Sequence, residues 1–485
     1  MKQRKRHSGA VSQPSRKDKD AVRVGHPRSK NGAPSTSGAK APVDSVGAVR
    51  GLKLPPPSES LLVDIEKPIY GGAFLAHAEG KAVFVPLTLP GEQARVRVTE
   101  SKRGYATAEA EEIVNAAPDR IVAACPHFGS CGGCHYQHTN YETQLAFKQA
   151  ILRETLERGG VRAPNEIAVL AGEPWRYRNR IRLAFDAAGN PGYRGRRSHA
   201  VIPISECPIA APLLVAAAKA AADVLRQVAP TARPTEISLF CDGSETSLLA
   251  SVMMAGTEKD RLDDLAKALR ERIPALKGVE FATESGKDEQ PVVFSQWGAA
   301  CLAYRAAGFD FRVDHGAFFQ VNRFLVDALV ERVTTGHKGN LAWDLFAGVG
   351  LFARSLIASF ARVVAVESAP TATKALTENL RGTTGIAVRS TTLDFLGSRK
   401  GKRSDSSIPD LIVVDPPRTG LGPEISALLA EVGAAALVYV SCDPATLARD
   451  LRGLIGSGYA IQSITLADLF PQTFHLETVV QLRRA

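Results

Sequence analysis

Short runs of alternating apolar and polar residues fill the chain from about residue 61 to residue 118. Leu62-Val63-Asp64-Ile65, Ala82-Val83-Phe84-Val85-Pro86 and Ala94-Arg95-Val96-Arg97-Val98 have the period of two that is typical of half-buried strands. Turn residues separate the runs at Gly71-Gly72 and at Leu89-Pro90-Gly91-Glu92. We therefore predict a small five-stranded β-barrel over residues 59–118.

A more mixed pattern follows over residues 119–311. Tyr141–Arg158 has helical character and ends at Gly159-Gly160, strand character returns between Arg176 and Phe185, and Leu213–Val228 forms an alanine-rich helical segment. These segments predict a central α+β domain.

Strands and helices alternate from Asn340 onward. The predicted strands are Leu341–Phe346, Arg362–Glu367, Ala387–Asp394, Leu411–Asp415 and Ala436–Ser441. Such alternation is typical of a doubly wound parallel sheet. The whole pattern predicts a multidomain α/β protein whose last domain, residues 312–485, is Rossmann-like.

Charge is concentrated at the start of the chain. Residues 1–60 hold 13 Lys or Arg and four Asp or Glu, so they carry +9 of the chain's net charge of +10. We expect residues 1–58 to be a disordered basic leader, and any nucleic-acid affinity of the nearly neutral remainder must come from local patches. Neither a membrane-spanning apolar run nor a signal peptide is recognisable, which favours a cytoplasmic protein, expected to be a monomer.

The alternation of arginine in one segment predicts a phosphate-binding face. On a strand, Arg176, Arg178, Arg180 and Arg182 would all point to the same side of a sheet. In the barrel, the candidate RNA contacts are aromatic and basic residues, namely Tyr70, Phe74, Lys102, Arg103 and Tyr105.

Four cysteines have the spacing of a metal site. Cys125, Cys131 and Cys134 form C-x5-C-x2-C, and Cys207 follows far downstream. Such a set suits either zinc or an iron–sulfur cluster, and the spacing alone leaves both open. Cys241 and Cys301 stand alone in apolar surroundings and are expected in the core.

The seventh cysteine has neighbours that indicate catalysis. Val440-Ser441-Cys442-Asp443-Pro444 lies between Asp415-Pro416-Pro417-Arg418 and His475-Leu476-Glu477-Thr478. A thiol and carboxylates at one sheet edge suggest covalent catalysis on a pyrimidine. Attack of the Cys442 thiolate at C6 would make C5 of a pyrimidine ring nucleophilic, and Glu477 is the candidate base that removes the C5 proton.

These motifs, with Asp344–Gly350 and Phe318–Asn322, resemble the RNA uracil-C5 methyltransferase family from about Leu61 to the C-terminus. The barrel segments Glu66–Gly72 and Phe84-Val85-Pro86 resemble the TRAM module, and the combination resembles members that methylate 23S ribosomal RNA. The resemblance implies a class I fold that uses S-adenosyl-L-methionine as methyl donor.

The resemblance also implies roles for particular residues. Gln320, Phe346, Glu367 and Asp394 would line the cofactor, with Asp415 near its reactive end. The missing first glycine of G-x-G-x-x-G likewise favours this cofactor over NAD. By the same resemblance the four-cysteine set would hold a [4Fe-4S] cluster.

Three positions depart from the family pattern. Leu351 and Ala347 stand where relatives carry Asn and Cys, which puts one cofactor contact in doubt. Asp443 replaces Asn after the nucleophile and is expected to disfavour the thiolate, altering the rate.

Other functions compete with 23S ribosomal RNA methylation. These are C5 methylation of transfer RNA uridine 54, a radical methylthiotransferase-like reaction, RNA binding without catalysis, and cytosine-C5 methylation. A radical enzyme would need C-x3-C-x2-C, and a cytosine enzyme a second cysteine in the Asp-Pro-Pro segment; the chain has neither.

Overall fold

The computed structural model describes residues 60–228, 234–256, 262–284, 291–399 and 408–485. All of them belong to one compact unit, Leu52–Ala485. The predicted basic leader lies outside the described residues. Within the described ranges, no helix combines the length and the apolar character that a membrane span requires.

The N-terminal strands close into a barrel, as predicted. Its strand order is β1-β2-β3-β5-β4. The strands are β1 (Ser60–Ile69), β2 (Ala73–Ala78), β3 (Lys81–Pro86), β4 (Gln93–Ser101) and β5 (Tyr105–Asn115). Phe74 is completely buried in the barrel core, so the prediction that it contacts RNA is wrong.

A seven-stranded sheet with two helices follows. Its order is β13-β12-β11-β10-β7-β8-β9. The strands are β7 (Arg180–Phe185), β8 (Pro191–Arg194), β9 (Val201–Pro203), β10 (Pro234–Cys241), β11 (Leu248–Met254), β12 (Leu276–Thr283) and β13 (Val292–Gly298). Helices α2 (Pro212–Val228) and α3 (Leu262–Arg272) share one apolar cluster with this sheet, because both are amphipathic.

The predicted arginine face does not form. Strand β7 begins only at Arg180, and Arg176 has a left-handed backbone with φ of 53°. Arg178 lines the cavity that also holds the four clustered cysteines. The prediction of a four-arginine phosphate track is therefore wrong, since an unbroken strand was its premise.

The C-terminal part forms an eight-stranded sheet in the order β18-β17-β16-β19-β20-β22-β21-β6. The strands are β6 (Ala168–Leu170), β16 (Gly339–Leu345), β17 (Phe360–Glu367), β18 (Gly385–Arg389), β19 (Leu411–Val414), β20 (Ala436–Ser441), β21 (Tyr459–Ala467) and β22 (Glu477–Arg484). Strands β16 to β20 pair in parallel, whereas β22 is antiparallel to β20 and β21. Parallel strands need crossovers, here made mainly by helices.

The helices of this region are α4 (Val326–Thr334), α5 (Leu351–Leu356), α6 (Pro370–Asn379), α7 (Thr392–Gly397), α8 (Gly422–Val432) and α9 (Pro444–Gly456). The predicted strand Ala387–Asp394 is too long, because β18 ends at Arg389 and Asp394 lies in α7. The side chain of Thr391 caps that helix and stops the strand.

Two elements from the predicted central range join the C-terminal sheet. Helix α1 (Tyr141–Arg158) packs in the same cluster as α9, and β6 pairs with β21. The hairpin β14 (Cys301–Ala306) and β15 (Phe309–Asp314) belongs to the other cluster of that sheet. The domain limits at residues 118 and 311 stay predictions. Helix α1 and strand β6 belong to the predicted central range in sequence, but they pack with the C-terminal sheet.

Candidate active site

Three strand ends bring the two predicted catalytic residues and one predicted cofactor residue, Asp415, to one edge of the C-terminal sheet. Asp415 directly follows β19, Cys442 follows β20, and Glu477 begins β22. In the antiparallel pair β20–β22, Ser441 lies opposite Thr478. One step further along each strand, Cys442 and Glu477 are therefore neighbours across the sheet.

This edge is an environment in which carboxyl and thiol groups hold their protons. Burial raises the pKa of the Cys442 thiol to about 12, and the carboxylates of Glu477 and Asp415 raise it further, while Arg418 opposes the shift. Burial raises the pKa of Asp415 to about 7. Burial and then the neighbouring Asp415 raise the pKa of Glu477 well above its ordinary value. The resting nucleophile is thus a thiol, and its proton can pass to a neighbouring carboxyl group only when that group is ionised.

Asp443 has a structural use that the sequence did not reveal. Its carboxylate accepts hydrogen bonds from the backbone N–H groups of Ala445 and Thr446, both at 3.0 Å, and caps helix α9. The main carboxylates that raise the pKa of Cys442 are Glu477 and Asp415. The expected rate effect of Asp443 stays a prediction, but its carboxylate is occupied at the helix N-terminus.

His475 is a site residue to which sequence reasoning assigned no role. Arg418 Nη2 donates to His475 Nδ1 over 2.9 Å, and because arginine only donates, the ring proton must be on Nε2. Burial, and then the charge of Arg418, lower the pKa of His475 to about 3. A neutral imidazole with a defined tautomer therefore stands two residues before Glu477.

The loop of residues 468–476, which leads into Glu477, is fastened by helix α1. The ammonium of Lys148 donates to Asp468 at 2.5 Å, with both side chains fully buried. Tyr141 also donates to Asp468, and Gln144 exchanges two hydrogen bonds of 3.0 Å with Gln472. A buried network of this kind holds the catalytic loop in one conformation.

The predicted cofactor residues lie at the opposite part of the same sheet edge. Phe346 directly follows β16, Glu367 ends the adjacent strand β17, and Asp394 lies in the first turn of α7. Glu367 accepts a hydrogen bond of 2.9 Å from the backbone N–H of Gly348, so it shapes the glycine turn. Gln320 is buried on the segment between β15 and α4.

Two of the three positions that depart from the family pattern lie in the hydrophobic core. Leu351 and Ala347 are buried in the hydrophobic cluster of this sheet. Just before them on the chain, Asp344 is fully buried, with Oδ2 bonded to the backbone N–H of Ala353 at 2.8 Å. Its Oδ1 has no hydrogen-bond partner among the described residues, and burial raises its pKa to about 8.

Four cysteines from two distant segments meet around one cavity. Cys125, Cys131, Cys134 and Cys207 all line it, together with Arg178. Burial raises the pKa of the first three, and Cys207 adds to each shift. Among the described residues, however, no group of three or more His, Cys, Asp or Glu is arranged to hold a metal ion. The structure brings the predicted ligands together but does not show the metal site.

A closed barrel and a mostly parallel sheet, with a glycine turn at one strand end and a thiol at another, define a methyltransferase-like α/β enzyme with an OB-like module. Residues 140–485 match the tRNA (Uracil-5-)-methyltransferase family, and residues 59–110 match the TRAM domain. The chain belongs to this family of RNA uracil-5-methyltransferases, as predicted from its motifs.

Individual relatives agree with this assignment. The chain is 32% identical to the 23S rRNA (uracil(1939)-C(5))-methyltransferase RlmD of Pseudomonas entomophila, over 89% of this chain and 95% of the relative. It is 34% identical to an uncharacterised RNA methyltransferase of Streptomyces avermitilis, over 88% and 99%. The tRNA (uracil-54, C5)-methyltransferase of Pyrococcus abyssi, solved with S-adenosyl-L-homocysteine, superposes with a TM-score of 0.68 at 22% identity, covering 87% and 99%, which shows the common fold.

Proposed function

We propose that this protein methylates C5 of a uridine in 23S ribosomal RNA through a covalent adduct with Cys442. The observation that carries the proposal is the β20–β22 register, which sets Cys442 beside Glu477 at the strand ends. The relatives named as 23S rRNA methyltransferases match nearly their full length and support ribosomal RNA as the substrate.

The residues at this edge supply each step of the reaction. The carboxylate of Asp415 accepts the thiol proton, and the Cys442 sulfur bonds to C6 of the uracil ring, which moves electron density to C5. C5 takes the methyl group of S-adenosylmethionine, whose sulfur leaves with the electron pair of the broken bond. Glu477 then removes the C5 proton, the double bond returns, and the C6–sulfur bond breaks.

The neutral His475 and the charged Arg418 bind the target base in this proposal. The Nε2–H of His475 is a donor suited to a carbonyl oxygen, and Arg418 fixes its direction. Uracil offers carbonyl oxygens at both C2 and C4. A negative charge that develops on a uracil oxygen during thiolate attack would be stabilised by these two donors.

S-adenosylmethionine would be held by Gln320, Phe346, Glu367 and Asp394, with Asp415 closest to the methyl group. Phe346 has a positive φ of 64°, and at this residue the chain leaves β16 and enters the glycine turn. Glu367 ends the next strand, the usual place for an acidic partner of ribose hydroxyls.

The family resemblance favours a [4Fe-4S] cluster over a single ion in the four-cysteine cavity. A cluster binds its thiolates through four separate iron atoms, so the sulfurs surround a space and need not converge on one point. Cys125, Cys131, Cys134 and Cys207 line one cavity, and the charge of Arg178 beside them would offset thiolate charge. The cluster would fasten the cysteine loop, since the proposed reaction needs no redox step.

Transfer RNA is the second candidate substrate, because the matching family is described by tRNA. Purified protein is incubated with methyl-labelled S-adenosylmethionine and each RNA, and nucleosides are identified by mass spectrometry. Label in 5-methyluridine from 23S rRNA is expected, and label only in transfer RNA would correct the substrate.

The same assay tests the nucleophile. Cys442→Ala should abolish labelling while RNA binding remains, because the first bond can no longer form. Cys301→Ala is the matched control, as Cys301 lies in the β14–β15 hairpin. Undiminished product from Cys442→Ala would refute the covalent mechanism.

A further inference from the structure

The turn between β1 and β2 of the barrel, Tyr70-Gly71-Gly72, lies against the active site. The Tyr70 hydroxyl is 3.5 Å from the backbone carbonyl oxygen of Cys442, a residue 372 positions away in the chain. At this distance the contact is a weak hydrogen bond by itself. Further contacts of the same turn show which parts of the active site the barrel touches.

The ring of Tyr70 packs on the loop that precedes the catalytic base. It meets Phe474 edge to face with ring centroids 5.5 Å apart, and Phe474 in turn lies 4.3 Å from the ring of His475. Phe474 also packs against the apolar core of the barrel. The barrel turn therefore contacts both segments that carry the catalytic groups, the one at Cys442 and the one leading to Glu477.

Gly72 allows the barrel turn to come this close. Its φ is +84°, and a Cβ at this position would lie 2.6 Å from Cδ2 of His135. The ring of His135 stands 4.7 Å from Phe474, nearly perpendicular to it. Any larger residue would have to push His135 away from the catalytic loop.

The Tyr70 hydroxyl keeps its proton and can donate. Burial raises the pKa of Tyr70, and the carboxylate of Asp443 raises it further. The hydroxyl thus faces two acceptors, the Cys442 carbonyl and the Asp443 carboxylate. Both belong to the two residues that connect β20 to α9.

We propose that Tyr70 is a positioning residue for the nucleophile, and that the barrel turn forms one wall of the active site. The hydroxyl holds the Cys442-Asp443 backbone, and the ring holds the loop before Glu477, so that the thiol and the base keep one relative position. Displacements of about 1 Å in such a pair cost much of the rate. This proposal rests on the proposed function, and it assigns Tyr70 a use other than the RNA stacking expected from the sequence.

Tyr70→Phe removes only the hydroxyl and keeps the contact with Phe474. The rate of adduct formation is measured in a single turnover with RNA that carries 5-fluorouridine, whose C5 fluorine blocks the final elimination. We expect the rate to fall about 5- to 10-fold, with unchanged RNA affinity and melting temperature. Tyr459→Phe is the matched control, because the Tyr459 hydroxyl also donates to a backbone carbonyl, that of Ala434, at the end of β21 and β22 away from Glu477.

A second readout needs no RNA. The alkylation rate of Cys442 by iodoacetamide, followed on its peptide by mass spectrometry, should change at least about twofold in Tyr70→Phe and not in Tyr459→Phe. It stays informative if wild-type protein methylates no uridine, so the two proposals fail separately. Unchanged adduct and alkylation rates in Tyr70→Phe would overturn the positioning role. An equal loss of melting temperature and rate would also overturn it, since that result indicates a structural residue.

Discussion

At the residue scale, Cys442 differs from the core cysteine Cys241 in its position and not in its pKa. Burial raises the pKa of Cys241 and of Cys442 to about 12, so both are thiols at neutral pH. Cys241 is completely buried at the end of β10, whereas Cys442 is partly exposed. Only Cys442 has the carboxyl group of Glu477 across the sheet and a strand end open to a substrate.

Glu477→Gln should trap the covalent intermediate. The amide cannot remove the C5 proton, so the methylated base stays bonded to Cys442 and a protein–RNA adduct accumulates. Denaturing gel electrophoresis with labelled RNA would reveal the adduct. Normal turnover without adduct would show that another group is the base; Glu331→Gln, on helix α4, is the control.

Asp344→Asn should change how stability depends on pH. Burial raises the pKa of Asp344 from 3.8 to about 8, so the folded protein holds a proton that the unfolded chain releases. This contribution is complete below about pH 4 and is lost as the pH rises through about 8. Asparagine does not titrate and removes this loss.

The melting temperatures of both proteins, without cofactor, are compared between about pH 5 and pH 8. The difference between Asp344→Asn and wild type should shift in favour of the variant as the pH rises. Asp310→Asn is a control on an exposed carboxylate in an open ion pair. Parallel curves for Asp344→Asn and wild type would contradict the raised pKa.

At the element scale, helix ends position the site. The helix α9 starts directly after the nucleophile, and its Asp443 cap holds the turn on which Cys442 lies. Asp443 thus has two effects, because it caps helix α9 and also limits the mobility of the neighbouring Cys442. The ends of β19 and β22 add the buried acidic groups Asp415 and Glu477.

Asp443→Ala should destabilise the protein by about 1 kcal/mol, because two backbone N–H groups of α9 lose their acceptor. Asp443→Asn should keep nearly full stability, since asparagine caps helices as well as aspartate does. Thermal unfolding of the two variants tests this. Equal destabilisation by both would show that the charge, and not the cap, is what matters.

At the scale of the whole molecule, elements far apart in sequence form one site. The barrel supplies Tyr70, helix α1 supplies Lys148, and the last strands supply the catalytic groups. The buried pair of Lys148 and Asp468 links the helix to the catalytic loop. Burial lowers the pKa of Lys148, while the attraction of Asp468 opposes that shift.

Lys148→Met should be strongly destabilising, by about 3–5 kcal/mol, because it leaves the carboxylate of Asp468 buried without its cation. The double variant with Asp468→Leu should recover much of this loss, since neither charge is then buried. Urea unfolding measures both. Lys267→Met, on helix α3, is the control, and a Lys148→Met variant as stable as wild type would refute the account.

Local pattern predicted many of the elements and suggested the residue types of the candidate site. Alternation predicted the barrel strands, helical character predicted α1 at Tyr141–Arg158, and the strand-end motifs selected Asp415, Cys442 and Glu477. These features depend on short-range periodicity and on chemistry that a few neighbouring residues define.

Contacts between distant segments were decided only by the tertiary structure. The β20–β22 register, the entry of α1 and β6 into the C-terminal sheet, and the inward position of Arg178 have no local signal. The sequence predicts Tyr70 to be a residue of the barrel, yet its hydroxyl contacts the backbone of Cys442. The physical reason is that periodicity specifies which face of an element is apolar, whereas the partner of that face is selected by packing of the whole chain.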